Sequence, residues 1–212
     1  LLAQAMVMGS ELGDLRFIRR LALATRDLCE GEVEQSTRLW DMEMSRADYY
    51  ELIRKKTATL FSMAMCGAAM LQEMDDEMVD HLERMGTLLG IAYQIYDDCL
   101  DLTGSEDVAG KTLGTDAAKG KLTLPVFFLM ESSRDDVANY VRRCVEHREE
   151  IDFSSLRGTD AFHEAICLSA DEGRARTAEA REVLWMLPES DGRTALAEMT
   201  YRLDELLDEC CN

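Results

Sequence analysis

Proline, histidine and aromatic residues are scarce in this chain of 212 residues: it carries two prolines, three histidines and 7% aromatics. With Pro125 and Pro188 as the only prolines, almost nothing interrupts a helix. No stretch of β-branched residues alternating with polar ones is long enough to read as a strand. Histidine at positions 81, 147 and 163 alone, and seven cysteines without a CxxC pair, exclude a zinc site of finger type. No apolar run reaches the length of a membrane span, and no signal peptide, internal repeat or low-complexity linker is visible in these 212 residues. Positive charge is also short. Against 42 acidic residues stand 23 Lys and Arg, a formal net charge of −19. That balance argues against nucleic acid and anionic membrane surfaces as partners. It also requires metal ions or local Lys and Arg wherever an anionic substrate binds.

What the chain has is Ala, Leu, Met and Glu in abundance, and the length to bury a sizeable core. The expectation is one all-α domain over residues 1–212. Residues 1–9 and 14–43 read as two helices parted at Gly9 to Gly13, the second with Leu21, Leu28 and Val33 on one side. Ser45 with Asp48 signals a helix start, and that helix runs through Tyr49, Leu52, Ile53 and Lys56 towards Met70. Asp75-Asp76 opens the next, which ends near Gly86–Gly90 or runs on. Residues 103–121 are loop-like, and a helix resumes from Thr123. Glu131–Glu150 is charged on most faces and reads as a solvated helix and loop. Val183 to Leu187 and Leu196 to Leu207 read as core-facing helices. Most cysteines sit among apolar neighbours as small hydrophobes, which suits a reducing cytosol and a cytoplasmic location. The opening Leu1-Leu2-Ala3-Gln4-Ala5-Met6-Val7-Met8 reads as the middle of a helix, so the sequence predicts a preceding segment.

The most informative stretch is Gln94-Ile95-Tyr96-Asp97-Asp98-Cys99-Leu100-Asp101. Gln94, Asp97, Asp98 and Asp101 stand at i, i+3, i+4 and i+7 and therefore share one helical face. They follow Met85-Gly86-Thr87-Leu88-Leu89-Gly90-Ile91-Ala92-Tyr93, which offers water almost nothing. Like charges at this spacing repel, and burial raises the penalty. Divalent cations between the acids would remove it, since Mg²⁺ takes one or two carboxylates together with water and phosphate oxygens. The plainer reading, an acidic helix end facing water, fits the apolar lead-in less well. Downstream, Lys111 and Lys121 are flanked by glycine, so backbone can fold close to whatever their ammonium groups hold. Each lysine alone could simply solvate a loop. Beside the acidic stripe they suggest a metal-bridged polyphosphate. Asp75-Asp76 is read as structural, at a helix start where carboxylates favour the macrodipole.

At these residues the chain resembles the trans-isoprenyl diphosphate synthases, or polyprenyl synthetases. The segments that carry the resemblance are GIAYQIYDDCLDLTG, GKTLGTDAAKGKLTLPV, LCEGEVEQ at 28–35, YYELIRKKTATLF at 49–61 and LWMLPESDGRTALAEMTYRLDELL. The resemblance implies an all-α helical bundle around a central cavity, the isoprenoid synthase type, with metal ions at its mouth. By resemblance, Asp97, Asp98 and Asp101 bind Mg²⁺ and through it an allylic diphosphate. Lys56, Lys111 and Lys121 contact that diphosphate, Thr57 and Gln94 face the developing allylic cation, and Gln35 lines the cavity. The family's first aspartate-rich motif, and the basic residues that hold isopentenyl diphosphate, would lie upstream of Leu1. Asp14 and Asp27 are isolated and replace neither. The bundle is therefore expected to lack its N-terminal helices, and the 212 residues alone to be inactive.

The implied reaction is Mg²⁺-dependent prenyl transfer from an allylic diphosphate to isopentenyl diphosphate, giving a longer trans-polyprenyl diphosphate. The alternative is a non-catalytic or regulatory subunit that keeps only diphosphate binding or a dimer surface. A terpene cyclase fits less well, because no Asn/Ser/Glu metal triad is found. A homodimer, or a heterodimer with a related chain, is expected through helices of the first half. Met63, Met65 and Met70 are candidates for a cavity wall.

Overall fold

The computed structural model describes residues 2–104 and 119–212, with side chains from residue 4. Every secondary-structure element among the described residues is helical: α1 Leu2–Glu11, α2 Leu15–Thr37, α3 Arg46–Ile53, a π-helical turn Arg54–Ala58, α4 Thr59–Leu71 and α5 Asp76–Thr103. After residue 118 come α6 Leu124–Met130, α7 Asp135–His147, the single turn α8 Phe153–Leu156, α9 Asp160–Leu184 and α10 Asp191–Cys210. No described helix is long and apolar enough to cross a membrane.

The helix starts follow local chemistry. Ser45 and Asp48 form a reciprocal capping box at α3. Asp14 caps α2, and Asp75 accepts from the Met78 amide at the head of α5. Asp76 pairs with Arg16, which accounts for the second acid of that doublet without a metal. Thr123 precedes α6, whose first turn holds Pro125 where a missing N–H costs nothing.

α5 is the axis of the fold, 28 residues long, or about 42 Å. Its Gly86 and Gly90 do not end it. They let α4 approach, since a Cβ at Gly86 would fall 2.5 Å from the Phe61 carbonyl oxygen and one at Gly90 2.4 Å from Ala58 Cα. α9 and α10 pack on the other side of α5, with α6 against α9 and α7 against α6. Two adjacent apolar clusters result. One gathers Tyr49, Ile95, Leu124, Leu129, Val141 and Ile166, the other Cys66, Met85, Leu89, Val183 and Leu184.

Several sequence readings need adjustment. α2 stops at Thr37, and Val33 is 65% exposed, turned well away from Leu21 and Leu28 because five residues advance a helix by about 140°. The expected helix from Asp48 to Met70 is continuous but passes through a π-helical turn. α7 hides Val137, Ala138, Val141, Cys144 and Val145 beneath its charged surface. α9 ends at Leu184, so Trp185 and Met186 face solvent. The loop-like segment lies largely outside the described residues.

Candidate functional site

The polar stripe of α5 faces a cavity of about 280 Å³ bounded by α2, α3, the π-helical turn and the strand-free segment before α6. Of the residues singled out from the sequence, Gln35, Lys56, Gln94, Asp97, Asp98, Asp101 and Lys121 line it together. Asp98 and Asp101 are 3% and 4% exposed, and Asp97 is half-buried. Lys111 lies outside the described residues. Thr57 stands just behind the wall and reaches the site through Gln94.

Hydrogen bonds order this wall in sequence. Thr57 Oγ1 donates to Gln94 Oε1 at 2.6 Å, and Gln94 Nε2 donates to Asp98 Oδ1 at 2.9 Å. From the opposite side the Tyr49 hydroxyl donates to Asp98 Oδ2 at 2.7 Å. Both oxygens of Asp98 thus accept, an arrangement suited to the ionised carboxylate. Burial and the Asp98 charge hold the Tyr49 phenol well above its ordinary pKa, so it stays a donor. Tyr49 was read from the sequence only as a helix residue. The available signal was that a buried tyrosine hydroxyl requires a partner.

Lys56 Nζ lies 2.5 Å from Gln35 Oε1 and 3.7 Å from Glu32. Both Lys56 and Thr57 belong to the π-helical turn, whose extra residue per turn rotates side chains relative to a plain helix. α2 and α5 clamp that turn: a Cβ on Gly31 would fall 2.9 Å from the Lys56 nitrogen, mirroring the contact at Gly90. Lys121 owes its place to Gly120. The Trp40 amide donates to the Gly120 carbonyl at 2.8 Å, and the indole lies where a Cβ would be, 2.2 Å away. Gly120 also has φ +80°, so two constraints favour glycine there. Arg38, which the sequence reading passed over, lines the same cavity and pairs with Asp41 at 2.9 Å.

Among the described residues no three His, Cys, Asp or Glu side chains converge on a single ion position. Magnesium does not need such a cage, since one or two carboxylates with water and phosphate oxygens complete its shell. Three hard oxygen donors along one face of a polar cavity fit that mode of binding.

The model for Polyprenyl synthetase matches residues 1–155. The chain belongs to the polyprenyl synthetase family. An octaprenyl diphosphate synthase of Haemophilus influenzae is 32% identical over 201 residues, which cover 93% of this chain and 60% of the relative. Solanesyl diphosphate synthase 1 of Arabidopsis thaliana is 29% identical over 208 residues, covering 96% and 50%. Among solved structures, a Caulobacter crescentus polyprenyl synthase complexed with calcium and isoprenyl diphosphate superimposes with a TM-score of 0.81 at 32% identity. The match takes in 97% of this chain and 62% of that one. This polyprenyl synthetase chain therefore spans about half to three fifths of the length of the curated relatives it matches. The all-α isoprenoid synthase architecture expected from the motifs is the one observed.

A second, larger cleft of about 800 Å³ lies between α2, α4 and the first turns of α5. Several of its arginines pair with acids, Arg20 with Asp80 and Glu83, Arg54 with Asp27. Met63, Met65 and Met70 all pack against the neighbouring apolar cluster, and Met63 and Met70 also line this cleft. It is not the carboxylate site, which is the smaller cavity.

Proposed function

We propose that the chain supplies the allylic diphosphate half-site of a prenyl diphosphate synthase. The observation that carries this reading is one cavity in which Asp97, Asp98 and Asp101 from α5 meet Lys56 and Lys121. The reaction is transfer of a prenyl group from an allylic diphosphate to isopentenyl diphosphate, with loss of diphosphate and a proton.

Asp97, Asp98 and Asp101 would hold magnesium, whose positive charge would offset that of the leaving diphosphate. The chain's own residues do the rest. Lys56 and Lys121 bring ammonium charge to the phosphate oxygens, as fixed donors that need no reorganisation when the C–O bond breaks. Thr57 donates to the Gln94 oxygen and Gln94 donates to Asp98, so the pair fixes the Gln94 amide in the cavity wall, where it would face the developing allylic cation. Met44, Leu52 and Ile53 give the cavity apolar surface that keeps water from the cation. No side chain forms a covalent bond to the substrate.

A second reading is a partner subunit that binds diphosphate without turning it over. It is favoured by the absence, among the described residues, of another acidic cluster across the cavity from α5. Isothermal titration of a non-hydrolysable allylic diphosphate, with and without Mg²⁺, tests what both readings share. Product formation with isopentenyl diphosphate separates them. No Mg²⁺-dependent binding would overturn the half-site itself.

A further inference from the structure

On the far side of α5 from the acids, side chains of α9 and the end of α10 build a thiol cluster that prenyl transfer does not use. His163 and Cys167 lie one turn apart on α9, and Cys211 caps α10. His163 Nε2 sits 2.8 Å from the Cys211 carbonyl oxygen, so that nitrogen carries the proton and donates. Its Nδ1 is then the basic nitrogen, and Cys167 Sγ lies against the ring, 3.8 Å from each of its nitrogens. The Cys211 thiol lies beside Cys167 and Arg174, the groups that act on its charge. Cys210 lies beside Thr103, and Cys99 is fully buried. Cys167 and Cys211 each keep partial access to solvent.

We propose that Cys167 and Cys211 are a peroxide-oxidisable pair, converted by hydrogen peroxide into a disulfide that ties α9 to the end of α10. Cys167 is the attacking sulfur, because it lies against the His163 ring, whose Nδ1 is the base within reach. Burial pushes Cys211 up to about 12, which keeps it a thiol. Cys167 passes its proton to His163 and its sulfur attacks a peroxide oxygen. The O–O bond breaks, and the departing hydroxide takes the proton as water, leaving a sulfenic acid. The Cys211 sulfur then attacks the Cys167 sulfur, the S–O bond breaks, and a second water leaves with the Cys211 proton. Two thiols and one peroxide give one disulfide and two waters. This inference is independent of the diphosphate site.

The test is peroxide treatment of the full chain carrying Cys29→Ser, which removes the exposed thiol that would cross-link molecules. Remaining thiols are blocked with iodoacetamide and tryptic peptides mapped. The expected result is the loss of two titratable thiols, a link between peptides 158–174 and 203–212, and recovery with dithiothreitol. Adding Cys210→Ser preserves the link. Adding Cys211→Ser abolishes it and leaves a sulfenic acid at Cys167 that dimedone traps. His163→Leu slows the reaction at least about tenfold through loss of the base. Unreacted Cys167 and Cys211, a link made through Cys210, or Cys167 oxidised to sulfinic acid with no link would each overturn the pair.

Discussion

The Tyr49 hydroxyl holds Asp98 Oδ2 at 2.7 Å inside a wall where both residues are almost closed to solvent. α3 and α5 meet there, so the bond fixes the cavity's width as well as one carboxylate's direction. Tyr49→Phe keeps the ring's packing against Phe127 and removes only the donor. It is expected to cost about 1–3 kcal/mol in urea unfolding, the range for leaving a buried acceptor unsatisfied, and to weaken Mg²⁺-dependent diphosphate binding. The folded phenol titrates well above its ordinary 10.0 because of burial and the Asp98 charge. The unfolded chain therefore loses that proton first, and stability falls as pH rises above about 10. Tyr49→Phe should flatten this alkaline limb. Unchanged unfolding and binding in the variant would remove Tyr49 from the site.

Asp97→Ala and Asp98→Ala address the acidic stripe directly. Where turnover is measurable, each is expected to lower it by at least ~10²-fold, as when a preorganised charge stabiliser is deleted. In the chain of 212 residues alone the readout is calorimetric, as loss of Mg²⁺-dependent allylic diphosphate binding. Asp98→Ala should also lower thermal stability, because the buried Tyr49 hydroxyl and the Gln94 amide lose their acceptor. Normal binding by both variants would defeat the assignment.

Why the acids were legible and Tyr49 was not is a matter of range. Gln94, Asp97, Asp98 and Asp101 lie within two turns, so helical spacing alone aligns them, and the Ser45–Asp48 box and Asp75 cap are equally local. The Tyr49–Asp98 bond joins residues 49 positions apart, which no local pattern encodes. The π-helical turn Arg54–Ala58 also left no sequence mark, because its residues are ordinary helix formers and the turn arises from packing against Gly31 and Gly90. α7 misled for a different reason: charged neighbours surround a buried stripe of Val137, Val141 and Val145. Trp185 reads as core on hydrophobicity, yet it lies at the surface with the Arg193 guanidinium 5.4 Å from its ring.

Gly90→Ala tests the clamp on the π-helical turn. The new methyl would fall 2.4 Å from Ala58 Cα and 2.8 Å from its Cβ, and backbone cannot yield as a flexible side chain can. Overpacking of this kind costs about 1–3 kcal/mol. The shift would also move Lys56 and Thr57, so diphosphate affinity should fall with stability. Gly158→Ala, where nothing lies within 4 Å, is the control and should melt like the parent chain. A Gly90→Ala protein as stable as that control would mean that α4 and α5 are not held as closely as described.

The final prediction concerns self-association through α1 and α2. Val7, Met8, Leu12 and Leu15 are 51%, 59%, 48% and 84% exposed, and Leu23 and Val33 continue the apolar surface along α2. A run of large apolar side chains open to water on two consecutive helices is unusual for a lone monomer and marks an interaction surface. The overall charge of −19 opposes association in general, so any contact must rest on apolar packing in this restricted patch. We expect a dimer, of two such chains or with a related chain, buried on this face. Sedimentation equilibrium at micromolar concentration should give a dimer whose stability changes little with salt. Leu15→Glu and Val33→Glu together should yield monomer with helical circular dichroism intact, because neither side chain is buried within the chain. A clean monomer for the parent chain, melting cooperatively, would count against this interface.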